Sequence, residues 1–122
     1  MAPPVPTSNE LARLLIAAAE EKQAWDPILI DVSERTTLAD YFVICEGETD
    51  RQVRAIADAM VARARDKGVR PLTVGGQEDA TWVLLDFDSV LAHVFLPGER
   101  AYYDLESLWA AVNGRRSKQS SN

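Results

Sequence analysis

The sequence is short of the residues from which most catalytic and metal centres are built. It holds one histidine, His93, and one cysteine, Cys45, in 122 positions. A single cysteine excludes a disulfide framework, and one histidine beside it cannot complete a four-ligand zinc site. Cys45 lies in the apolar run Tyr41-Phe42-Val43-Ile44-Cys45 with no histidine near it in sequence. That setting marks a small core side chain in a reducing compartment rather than an activated nucleophile. Long hydrophobic runs are missing too: nothing approaches the roughly 18 apolar residues that span a bilayer. Met1 to Asn9 has neither the basic start and apolar centre of a secretory signal nor the arginines of an organellar transit peptide. The expected location is cytoplasmic, with no membrane partner.

Basic charge is the remaining deficit. Nineteen acidic residues stand against thirteen basic ones, for a net charge of −6, and Arg115, Arg116 and Lys118 sit in a tail without any acid. The body of the chain is therefore more acidic than the total suggests. Such a surface repels phosphate backbones, so direct RNA contact should be minor and a basic partner is favoured. The tail RRSKQSSN, 115–122, has nothing apolar to bury and reads as a disordered basic end.

What is present suffices for a single domain with one core. A proline-rich lead-in, 1–9, is expected to be flexible, and the folded domain to occupy 10–114. Thr7-x-x-Glu10 reads as a capping box for a helix that turns Leu11, Leu14, Leu15, Ala18 and Ala19 inward and ends before Pro27. Short β-branched and aromatic runs at 28–32 and 41–45 read as neighbouring strands. Thr49-x-x-Gln52 opens a second helix, with Val53, Ile56, Ala57, Met60, Val61 and Ala64 at helical spacing and Gly68 closing it. A strand at 71–74 and the flexible turn 75–79 follow. The strands on either side of the second helix should run parallel, joined by a right-handed crossover. The fold class is α/β: a mixed five-stranded sheet flanked by helices.

The segment from Trp82 to Trp109 holds the only histidine, two of three tryptophans and two of three tyrosines. Its start alternates, with Trp82, Leu84 and Asp86 on one strand face and Val83, Leu85 and Phe87 on the other. A second strand spans 90–96, and Asp86-Phe87-Asp88-Ser89 supplies the turn of a hairpin. Asp104 then caps a short helix with Leu105, Leu108, Trp109 and Val112 on one face, stopped at Asn113-Gly114.

Catalytic readings of these residues are poorly supported. Asp86-x-Asp88 puts two carboxylates within reach of a divalent cation, which raises a metal-dependent nucleotidyltransferase as the alternative function. Yet no lysine or serine follows Gly75-Gly76 as a phosphate loop requires, and no helix opens there to offer amide donors. His93 shares a strand face with Leu91 and Phe95, and none of Ser33, Ser89 or Ser107 sits in a nucleophile-elbow turn. No cofactor is expected. What remains is a group of aromatic residues, Trp82, His93, Phe95, Tyr102, Tyr103 and Trp109, of the kind that anchors protein interfaces. About half of these must face the core, because strand positions alternate.

The blocks Leu38-Ala39-Asp40-Tyr41-Phe42-Val43-Ile44, Gly47 to Ala57, Trp82 to Asp86, His93-Val94-Phe95 and Tyr103 to Trp109 resemble, in order and spacing, the ribosomal silencing factors, the Iojap-like family. The resemblance covers about Glu10 to Val112. It implies a fold similar to nucleotidyltransferases without their activity. It also implies a cytosolic translational repressor that binds the large ribosomal subunit through the ribosomal protein numbered fourteen and sterically prevents the small subunit from joining. A role in large-subunit maturation is implied as well. Carried over by position, the contact surface corresponds to Trp82, Leu84, Asp86, His93, Phe95, Tyr103, Leu105, Leu108 and Trp109. An exposed aromatic patch is a liability in a free monomer, so a homodimer off the ribosome is expected.

Overall fold

The structure is a computed structural model and describes residues 5–98. The expected helix 104–113 and the tail 115–122 lie outside these residues.

Helix α1, Ser8–Glu21, begins where a reciprocal capping box satisfies its first free amides. The Thr7 hydroxyl accepts from the Glu10 amide at 3.1 Å and the Thr7 amide donates to the Glu10 carboxylate at 2.9 Å. The helix thus starts within the last residues of the expected lead-in. It buries Leu11, Ala12, Leu15, Ala18 and Ala19. Helix α2, Asp50–Asp66, is capped by Thr49, whose side chain accepts from the Gln52 amide at 3.1 Å. Gln52 does not close a box on Thr49. Its side chain accepts from the Glu48 amide at 2.7 Å and donates to the carbonyls of Lys22 and Gln23, fastening the start of α2 to the end of α1. The two helices are also linked by the Arg63–Glu21 ion pair. At the far end Gly68 takes φ +81°, which lets the Val69 amide reach back to the Ala64 carbonyl at 2.9 Å.

Five strands form one mixed sheet: β1 Trp25–Asp31, β2 Tyr41–Glu46, β3 Thr73–Gly75, β4 Trp82–Asp86 and β5 Val90–Phe95, in the order β1-β2-β5-β4-β3. The β2·β5 pairing is parallel and the other three are antiparallel. β2 and β3 therefore point the same way, as the intervening helix requires, but the β4–β5 hairpin lies between them. β1 starts three residues earlier than the apolar run suggests. Its register breaks between Trp25 and Ile28, where Asp26 adopts φ +48° and Pro27 has no amide to give. β3 is shorter and later than expected, although the Leu72 amide still donates to the Asp86 carbonyl at 2.7 Å.

Alternation divides the sheet into two faces. Val43, Cys45, Val83, Leu85, Val90, Ala92 and Val94 meet α1 and α2 in the main core. On the far face Val32, Ala39, Phe42, Ile44 and Phe95 form a second buried cluster, with Ile28, Ile30, Trp82 and Leu91 packed against it. Cys45 is fully buried, as its apolar neighbours indicate. Among the described residues no helix is long and apolar enough to cross a membrane.

Candidate interaction face

The far face of the hairpin brings the expected strand residues together in facing pairs. Trp82 lies opposite Phe95, Leu84 opposite His93, and Asp86 opposite Leu91. The pattern read from the sequence holds through β4: Trp82, Leu84 and Asp86 are partly exposed, while Val83 and Leu85 have no exposed surface. β5 differs. Phe95 is 0% exposed and His93 5% exposed, because β5 is a central strand with neighbours on both sides. Both belong to the right face, yet they form the bed on which Trp82 rests and present almost no surface of their own.

That bed is aromatic. The His93 ring centroid lies 5.1 Å from that of Phe42 and 6.1 Å from that of Phe95, with the His93 and Phe95 planes 4° apart. Trp82 stands 5.1 Å from Phe95, centroid to centroid. The indole N–H of Trp82 donates to His93 Nδ1 at 3.2 Å. An imidazole that accepts at Nδ1 carries its proton on Nε2 when neutral, and Nε2 is buried with no hydrogen-bond partner among the described residues. Burial without a compensating charge pushes the His93 pKa from 6.5 down to about 4. His93 is thus neutral at physiological pH and fixes the indole orientation of Trp82. Phe42 was not singled out in the sequence; the alternation of 41–45 with 91–95 across a parallel pairing is the signal that would have found it.

The two turn aspartates have a local role. Asp86 Oδ1 accepts from the Asp88 amide at 2.8 Å, and Asp88 adopts φ +73°, a left-handed position that aspartate tolerates in turns. Among the described residues no three His, Cys, Asp or Glu side chains are grouped so as to hold a metal ion. Tyr103, Leu105, Leu108 and Trp109, the other expected contact residues, lie outside the described residues.

Known proteins place these features in a family. The sequence profile described as ribosomal silencing factor during starvation matches residues 5–122. The ribosomal silencing factor of Bacillus subtilis is 39% identical over 101 residues, covering 83% of this chain and 86% of that protein. A crystal structure of a protein from Chromobacterium violaceum is similar with a TM-score of 0.82 at 36% identity, covering 85% of this chain and 87% of that one. A more distant relative in Mus musculus, named mitochondrial assembly of ribosomal large subunit protein 1, is 29% identical over 99 residues that make up 79% of this chain and 43% of that longer protein. With the profile matched over nearly its whole length, the chain belongs to the ribosomal silencing factor family.

Proposed function

We propose that this protein represses translation by occupying the large ribosomal subunit, through the ribosomal protein numbered fourteen, at a place where its bulk prevents the small subunit from joining. Family membership supports a ribosome-associated regulator of translation. The observation that carries the finer reading is the partly exposed row Trp82, Leu84 and Asp86 on a rigid hairpin, with Trp82 held from beneath by Phe95 and His93. A preoriented indole on a strand loses little entropy on binding, which is what the centre of a compact interface requires. Tyr103, Leu105, Leu108 and Trp109 extend that surface in this reading, while His93 and Phe95 serve it from below. An interface of about 1,600 Å² in total would suffice for a stable complex. The acidic balance of the chain, −6 overall, suits a basic ribosomal protein. In the free protein the same surface is paired with a second copy.

The test is co-sedimentation with purified large subunits. Trp82→Ala should lose binding, whereas Asp88→Asn should keep it. Retained binding by Trp82→Ala would move the contact elsewhere, and a Mg²⁺-dependent nucleotidyl transfer abolished by Asp88→Asn would favour the enzyme instead. A second reading, a contribution to large-subunit assembly through the same contact, is favoured by the printed name of the mouse relative. It predicts accumulation of immature large subunits when the protein is absent.

A further inference from the structure

On the helical side of the sheet, away from the Trp82 row, a groove of about 330 Å³ lies between α2 and the sheet edge, floored by Ala57, Val61, Val74 and Leu85. A second hollow of about 290 Å³ continues it past Val69 and Pro71, sharing Val61 and Arg65 with the first. Beside this groove runs β3, the last strand of the sheet, hydrogen-bonded to β4 along one edge. Leu72, whose amide extends that pairing by one residue, is 66% exposed.

The charge here opposes that of the whole molecule. Three arginines, Arg54, Arg65 and Arg70, line the two hollows against one acid, Asp58. Arg54 is engaged, since its guanidinium holds Asp50 and donates to the carbonyls of Gln77 and Glu78, tying the 76–80 turn to α2. Arg65 and Arg70 are exposed and have no side-chain partner among the described residues.

We propose that this corner docks an extended acidic segment of a partner protein, which adds to β3 as a sixth strand. Strand addition satisfies the edge of β3 that has no strand neighbour among the described residues, and alternate side chains of the incoming segment point into the groove. Among the side chains on that side, two residues apart, an apolar one meets Val61 and Val74 and the carboxylates before and after it meet Arg65 and Arg70. The basic tail 115–122 of this chain and its lead-in 1–6, which has no acid, do not suit the site; were its own acidic stretch 99–114, with Glu99, Asp104 and Glu106, seated there, an added peptide would leave the groove amides unmoved. A nucleic acid is disfavoured because the floor is aliphatic and offers no ring on which a base could stack. The surface is separate from the Trp82 face, so the two can be occupied independently.

The test is an amide NMR titration of the full chain with an eight-residue peptide that has threonine at every second position and glutamate and valine in turn at the others, so that both face the groove together. The matching peptide with lysine in place of glutamate and poly(U) serve as comparisons. The glutamate peptide should shift the amides of residues 72–75 together with Val61 and Arg65. In anisotropy, the double variant Arg65→Glu, Arg70→Glu should bind it roughly tenfold or more weakly, while co-sedimenting with large subunits as the unmodified protein does. The proposal is overturned if those amides do not move, or if the lysine peptide binds as well. It is also overturned if poly(U) moves them and the peptide does not, or if they shift with protein concentration alone, which would assign the edge to a second copy.

Discussion

The indole of Trp82 and the imidazole of His93 depend on one hydrogen bond from opposite sides, and each can be tested alone. Trp82→Phe keeps most of the ring area but removes the donor, leaving His93 Nδ1 buried without a partner. The expected cost is about 1–3 kcal/mol, read as a lower urea midpoint at unchanged slope. His93 itself predicts a pH dependence. The unfolded chain takes up a proton near pH 6.5, whereas the buried imidazole resists until about pH 4. Stability is therefore complete above pH 6.5 and is lost as the pH falls toward 4, by about 3 kcal/mol over that window. Denaturation midpoints measured from pH 7 to pH 4 should show this fall, and His93→Gln should flatten it. Asp31 acts in a lower window: hydrogen bonds from the Ser33 hydroxyl and amide hold its pKa below 3.8, so its contribution disappears only in more acidic solution. A slope unchanged by His93→Gln would mean that the imidazole is not shielded as described.

Among the elements, the turn before β4 is the most demanding of its sequence. Gly76 sits at φ +86°, and a Cβ there would overlap the Trp82 carbonyl oxygen, whereas Gly68 at φ +81° faces open space. Gly76→Ala should cost more than about 2 kcal/mol and disturb the Trp82 strand, while Gly68→Ala should cost about 1 kcal/mol. Removing the α2 cap with Thr49→Ala should cost about 1 kcal/mol. Thermal or chemical unfolding of the three variants checks this ordering. These local features were legible because each is written within a few residues: a hydroxyl three positions before a side-chain amide, a glycine after the last apolar position, alternation through 82–86. The pairing of β2 with β5 was not, since those strands are distant in sequence and no local pattern chooses a parallel neighbour. Nor could alternation alone tell that β5 is central. It put His93 and Phe95 on the correct face and left open how deep they lie. The start of β1 at Trp25 was hidden by Asp26 and Pro27, residues that ordinarily end strands.

For the whole molecule, the proposed function makes the central quantity a competition between two associations of the large subunit. The acidic body should speed encounter with a basic ribosomal protein, so binding should weaken as salt rises, mainly through the association rate. An interface centred on the Trp82 row then needs only to outlast the approach of the small subunit. The direct measurement is a sucrose gradient of purified large and small subunits mixed with and without this protein, with its position followed by immunoblot. The account predicts that the protein travels with the large subunit, that joined particles disappear, and that Trp82→Ala restores joining. If the protein remains at the top of the gradient and subunits join as before, occlusion is contradicted.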